Sequence, residues 1–208
     1  MVLERMKAIK LLLHLMCLAP LGWAWLHLVQ GGFGADPVKE LIHFGGRTTL
    51  QLLILTLSVS PLARGLHKPE LIRVRRLLGL WCFAWACGHV TAYLLLELAG
   101  DGWLLLSEIL RRPNLLLGAM AWLILLSLAL TSNRWSQRRL GRAWQRLHWG
   151  VYAVAILAPW HYLWSVKSLS PEPWIYAGLL AGLLLWRVWR RWRRLNPAPC
   201  AAGPAGRR

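Results

Sequence analysis

Residues 147–164 read LHWGVYAVAILAPWHYLW. The stretch is apolar and long enough to lie in a membrane, yet it holds His148 near one end and His161 near the other. An imidazole in hydrocarbon is costly unless something satisfies its nitrogens. Whether these rings bind a group or tie helices together decides how the rest of the chain is read.

Working outward, the apolar pattern recurs. A spanning helix needs about 20 predominantly apolar residues, and six stretches approach that length: about 11–30, 47–65, 77–99, 114–131, 147–166 and 174–191. The second is the least apolar, interrupted by Gln51, Ser58, Ser60 and Pro61. Short joints separate the six and leave no room for a soluble domain. The chain of 208 residues is 57% hydrophobic, with 15 Trp and a mean hydropathy of +0.42. The expected fold is an all-α integral membrane protein, a six-transmembrane-helix bundle over residues 11–191. Residues 1–10 form a cytoplasmic N-terminus and 192–208 a cytoplasmic, disordered tail rich in Pro, Ala and Gly.

The net charge of +17 would suit nucleic acid, but its distribution points elsewhere. Basic residues crowd alternate joints: Arg5, Lys7 and Lys10; five in 64–76; five in 134–146; seven from Arg187 onward. The opposite joints hold Lys39, Arg47, Arg111, Arg112 and Lys167, together with six of the eight acidic residues. Basic joints stay on the cytoplasmic side, so both termini are expected inside, in a bacterial-type inner membrane. The partners implied are membrane lipid and not nucleic acid. A first apolar stretch of full spanning length without a small-x-small site argues against a cleaved signal peptide. The four Cys (17, 82, 87, 200) form neither CxxC nor CxxCH, which excludes the usual zinc and covalent-haem spacings. No internal repeat is evident.

Seven His remain to be sorted by depth. His67 falls in a basic joint and His43 in the first outer joint, both solvated positions. His14, His27, His89, His148 and His161 fall in spans or at their ends. Counting from Arg76 to His89 and from Arg146 to His161 places both imidazoles roughly 20 Å from the basic side, at about 1.5 Å per residue. Two imidazoles at one depth on two helices suit the two axial positions of a haem iron. His148 lies about 20 Å below His161 on the same stretch. An ideal helix would aim the two rings differently, and Pro159 offers a local bend. Near His148 the third stretch offers Arg75 and Arg76, which suit haem propionates; His14 is a rival partner by depth. Trp81, Trp85, Trp149 and Trp160 flank the candidate ligands, where filling the bundle is the ordinary role. The bland alternative for every membrane His is a helix–helix hydrogen bond.

Longer motifs carry a resemblance. GADPVKELIHFGGRTTL, PLARG, LIRVRRLLGLWCFAWACGHVTAYLLLELAG, LGRAWQRLHWGVYAVAILAPWHYLWSVK and PEPWIYAGL resemble the haem-binding membrane subunits of bacterial periplasmic methionine sulfoxide reductase systems (the MsrQ family), from about residue 10 to 190. More distantly the bundle is similar to ferric reductases and NADPH oxidases. The resemblance implies a b-type cytochrome with one or two haems b and an FMN. It implies that His89, His148 and His161 are the iron ligands. It also implies electron flow from the quinone pool or a cytoplasmic flavin reductase to a periplasmic molybdopterin-containing methionine sulfoxide reductase subunit, in a heterodimer that repairs oxidised proteins. Sulfoxide reduction itself would belong to that partner. The wider oxidase group carries two His on its third helix, whereas this chain has His89 alone, with Arg76 near the inner position. No nucleotide-binding fingerprint follows the last stretch, and no local motif marks FMN, although Arg64, Lys68, Arg73, Arg138, Arg139 and Arg142 could attract a phosphate. Two other classes fit the residues: a stand-alone ferric-reductase-type oxidoreductase, and a non-redox transport or assembly protein.

Overall fold

In the computed structural model, residues 2–166 and 170–196 are described. Among them every regular element is helical. In order these are α1 (Val2–Val29), α2 (Pro37–Gly65), a 3₁₀ turn (Pro69–Val74), α3 (Arg75–Ala92) widening into a π turn (Tyr93–Glu97), α4 (Gly102–Arg111), α5 (Pro113–Leu130), α6 (Arg134–Leu140), α7 (Arg142–His148), α8 (Gly150–Ser165) and α9 (Glu172–Leu195). The long helices α1, α2, α3, α5, α8 and α9 fall on the six apolar stretches. Three segments, Met6–Val29, Pro69–Glu97 and Pro113–Leu130, are long and apolar enough to cross a membrane.

Helix starts follow local chemistry. Asp36 accepts from the Lys39 amide (3.1 Å), with Pro37 opening α2. Asp101 accepts from the Trp103 and Leu104 amides (2.9 and 3.0 Å) to start α4, and Asn133 accepts from the Ser136 amide (2.6 Å) to start α6. These side chains satisfy amides that have no partner within the helix. Gly141 separates α6 from α7 with φ +50°, a conformation that favours glycine.

Helix α2 lies at the centre, packed along α3 and also against α8 and α9; α5 pairs with α8, and α1 rests lightly on α2 and α3 at the edge. Leu53, Leu57, Cys82, Val154 and Leu180 are fully enclosed. The outward faces are apolar as well: Leu11, Leu15, Leu123, Ile156 and Leu179 are all exposed. A surface of this kind suits lipid, in which only the backbone and polar side chains need internal partners.

That requirement explains why α2 reads as the weakest stretch. Several of its polar groups have partners within the molecule. Thr48, Thr49 and Thr56 donate to carbonyls one turn back (2.9, 2.9 and 2.7 Å), and Gln51 Nε2 donates to the Tyr176 hydroxyl (2.9 Å). Pro61 has no N–H to give the Leu57 carbonyl four residues earlier. Arg187 of α9 supplies the missing donor at 2.6 Å, and also donates to the Tyr152 hydroxyl at 2.7 Å. A hydrogen bond from a charged donor contributes about 1.5–3 kcal/mol, so the proline and the arginine jointly fasten α9 to α2 and α8.

The chain departs from the sequence reading at several joints. Helix α1 begins at Val2, inside the segment read as a separate N-terminus, and α2 begins ten residues before the apolar stretch, so His43 lies on a helix and not in a joint. The joints around 102–111 and 134–148 hold α4, α6 and α7, each started by an Asp, Asn or Gly that pattern reading on hydropathy passes over. Helix α9 runs to Leu195, four residues into the stretch read as a tail, and 197–208 lie outside the described residues.

Candidate functional site

Gly45 of α2 faces α3, where a Cβ would be in ordinary contact 3.5 Å from the His89 Cα. His89 reaches back across α2, and its Nδ1 lies 2.9 Å from the Ile42 carbonyl. A carbonyl can only accept, so Nδ1 carries the proton and the lone pair of the neutral ring sits on Nε2. The ring rests against Gly46, whose Cβ would come within 3.3 Å of its Cε1.

The second helix pair repeats this arrangement. Nδ1 of His161 on α8 donates to the Asn114 carbonyl of α5 at 2.7 Å, and the ring lies against Gly118, whose Cβ would meet its Cε1 and Nδ1 at 3.0 Å. In both cases the imidazole lies 47 residues beyond its carbonyl. Adding 72 to 42, 46 and 89 gives 114, 118 and 161, so the α2–α3 and α5–α8 pairs are two copies of one device. The same offset carries Arg76 onto His148. No repeat is visible in the sequence because the device needs only a carbonyl, which any residue has, a glycine four residues later and one histidine.

The two devices bring His89 and His161 together, with ring centres 6.3 Å apart and planes at 73°. Two imidazoles on opposite sides of one metal, at about 2 Å per metal–nitrogen bond and about 1 Å more to each ring centre, have centres roughly 6 Å apart. The observed spacing admits one metal atom. Among the described residues no group of three or more His, Cys, Asp and Glu is gathered so as to hold a metal ion.

His148 is held differently. Its Nδ1 donates to the Trp144 carbonyl one turn back (3.1 Å), and its ring stacks on Trp144 with centres 3.9 Å apart. Its Nε2 is buried with no hydrogen-bond partner among the described residues. Such an atom is costly unless something binds it. It borders a cavity of about 510 Å³ whose wall also includes Arg75, Arg76, Thr56, Gly79 and Tyr152. The structure thus gathers His148, Arg75 and Arg76 around one space, well separated along α8 from the His89–His161 pair. At the joint between α7 and α8 the Trp149 N–H is shared between the Gln145 and Arg146 carbonyls (3.2 and 3.1 Å) and Tyr152 N donates to the Trp149 carbonyl (2.9 Å), so part of the turn is tightened to three-residue spacing.

The other membrane histidines are otherwise engaged. His14 Nδ1 accepts from Trp81 Nε1 (2.9 Å), which removes it as a rival at the inner cavity. His27 stacks on Trp23 at 3.8 Å, while its Nδ1, like the Nε2 of His148, is buried with no hydrogen-bond partner among the described residues. Trp85 Nε1 donates to the Cys17 carbonyl (3.0 Å), so Trp81 and Trp85 tie α1 to α3. Trp149 and Trp160 are about half exposed, and Trp149 also borders the cavity at His148. Cys17 and Cys82 are buried and free, as small core residues.

Glycines 46 and 118 and the carbonyls of Ile42 and Asn114 were absent from the sequence reading, because a seat for a ring is a missing side chain. Gly118→Ala is expected to push the His161 ring by a few tenths of an ångström, at a packing cost of about 1–3 kcal/mol. A shifted visible absorbance spectrum and weaker cofactor retention, with expression unchanged, check this; an unaltered spectrum would separate Gly118 from the site.

Comparison with known proteins bears on the same region. Residues 45–159 match the family described as ferric reductase like transmembrane component. Over 180 residues, 86% of this chain, the sequence is 59% identical to a protein-methionine-sulfoxide reductase heme-binding subunit MsrQ of Klebsiella pneumoniae subsp. pneumoniae, covering 89% of that protein. Proteins of the same name from Enterobacter sp. (strain 638) and Salmonella paratyphi B are 56% and 57% identical over the same share of this chain and 90% of theirs. No solved structure matches.

Proposed function

This chain belongs to the MsrQ family of protein-methionine-sulfoxide reductase heme-binding subunits, with a ferric-reductase-like transmembrane domain, and on that premise we propose that it conducts electrons across a bacterial inner membrane. The donor is the quinone pool or a cytoplasmic flavin reductase. The acceptor is a periplasmic molybdopterin-containing reductase subunit, which carries out the sulfoxide chemistry in a heterodimer. Six spans with both termini cytoplasmic place the basic joints inside and the His89–His161 pair toward the periplasm.

One observation carries the reading: two imidazoles 6.3 Å apart, each with Nδ1 tied to a backbone carbonyl and Nε2 left as the ligating atom. Bound there, haem b supplies one-electron transfer at its iron. The protein's part is positional. Ile42 and Asn114 fix the tautomer and ring direction, as outer partners of metal-bound histidines do, and Gly46 and Gly118 give the rings room. A second haem in the inner cavity would be held by His148, with Arg75 and Arg76, which line the same cavity, available to its propionates. At that level the partner of His148 by position is Arg76, which does not ligate iron. FMN is implied by the family resemblance alone; of Arg64, Lys68, Arg73, Arg138, Arg139 and Arg142, Arg64 borders a recess.

The test is an absorbance spectrum of the purified full chain, air-oxidised and then dithionite-reduced, with a haem-per-chain assay, followed by addition of the reductase partner with methionine sulfoxide. Low-spin b-type bands that reoxidise on adding the partner are expected. A colourless preparation made with ample haem supply would overturn the reading. Reoxidation by a ferric chelate, with none by the partner, would favour the stand-alone ferric reductase.

A further inference from the structure

At its C-terminal half, α9 presents Arg187, Arg190, Arg191 and Arg194 at helical spacings of three and four residues. With Arg64 at the end of α2 and Trp186, they line a recess of about 240 Å³. No carboxylate pairs with any of the five among the described residues; the ion pairs found there involve Lys7, Arg47 and Arg112. Guanidinium groups converging without a counter-charge repel one another, and an anion relieves the repulsion. A basic joint scattered through water would satisfy the charge asymmetry of a membrane protein equally well, so asymmetry alone does not account for a concave cluster. Arg187 is held in place by the Leu57 carbonyl and the Tyr152 hydroxyl, which leaves it further donors to offer.

We propose that this recess binds the phosphate group of an anionic membrane amphiphile. Arginine forks match phosphate oxygens bidentately, and basic recesses between spanning helices on the cytoplasmic side receive acidic lipid headgroups. The volume is below the roughly 300–1,000 Å³ that encloses a drug-sized ligand and suits a headgroup. The adjoining surface of α9 fits the same ligand. Trp189 and Trp192 are exposed (47% and 60%), and Arg190 and Arg193 lie over the rings of Trp186 and Trp189 at 5.3 and 4.2 Å. Tryptophans of this kind sit at headgroup depth. This inference is independent of haem ligation.

The full chain in nanodiscs of phosphatidylcholine alone, or with added phosphatidylglycerol or cardiolipin, is compared with Arg190→Gln/Arg194→Gln and with the control Arg138→Gln/Arg142→Gln, which alters basic residues outside the recess. Lipid bound per chain by native mass spectrometry and the unfolding midpoint are read, and inorganic phosphate and pyrophosphate are titrated into the phosphatidylcholine discs. Anionic lipid is expected to bind and raise the midpoint in wild type and control, with roughly thirty-fold weaker binding in the recess variant, about 1 kcal/mol for each arginine removed. A response to the soluble anions that is lost in the recess variant supports the site and assigns its phosphate to solution. If the double variant fails to fold, the single Arg194→Gln in the exposed last turn carries the comparison, with about a fivefold loss. Equal responses in recess and control variants, or none to either source, would overturn the proposal.

Discussion

On the proposed reading with two haems, His161→Ala is expected to remove the outer one, lowering haem per chain by about half and erasing the matching part of the reduced b-type spectrum. The prediction follows from the geometry of the pair. His161 lies with its ring centre 6.3 Å from that of His89, and its Nδ1 is committed to the Asn114 carbonyl. Truncation deletes the ligating nitrogen and leaves that carbonyl without its side-chain donor. His89→Ala should behave alike, because the Ile42–Gly46 seat mirrors the Asn114–Gly118 seat. The combined variant should lose little more than either one, since both act on a single iron. Additive losses in the double variant, each single change costing a separate haem, would break the pairing apart.

His148→Ala should have a different signature. Its Nε2 is the buried atom without a partner in the inner cavity, so replacing it should empty that site while the outer pair, roughly 20 Å away along the helix, assembles normally. Reduction by a quinol or by a flavin reductase on the cytoplasmic side should then fall by at least tenfold, whereas dithionite still reduces the outer haem. Loss of that cofactor is expected to lower the unfolding midpoint as well, since a group bound only to the folded chain stabilises it. The measurement is the rate and yield of haem reduction by each donor. Unchanged transfer from the cytoplasmic donor would remove His148 from the path.

The contrast between these variants shows what could be read from the sequence. His89 and His161 stood out because depth can be counted from Arg76 and Arg146 along regular helices, and a helix converts residue number into distance. The Arg75–Arg76–His148 grouping was legible for the same reason. Counting failed on direction. The turn at Trp149 is tightened by three-residue hydrogen bonds, a feature at the other end of the segment from Pro159 that counting does not see. His14, equal to His148 by depth, was excluded only by its hydrogen bond from Trp81.

Helix α2 gives the sharper case. Gln51, three threonines and Pro61 make it look like a poor span, yet it is the central helix of the bundle. A hydropathy pattern measures exposure to lipid, and α2 is packed against neighbours along one face, where Thr56 donates to its own helix and Arg187 answers the carbonyl freed by Pro61, while the exposed Gln51 pairs with Tyr176.

By itself the sequence determined that the chain is helical and apolar outward, where its basic residues cluster, and which imidazoles sit at membrane depth. These are properties of composition along one chain, set by periodicity and transfer free energy. Only the tertiary structure decided which rings meet, which nitrogen each ring offers, and that two helix pairs repeat one seat around Gly46 and Gly118. It alone gathered Arg64 with four arginines of α9 into one recess. Those outcomes depend on carbonyls, missing side chains and approaches between helices distant in sequence, which acquire positions only when the helices pack.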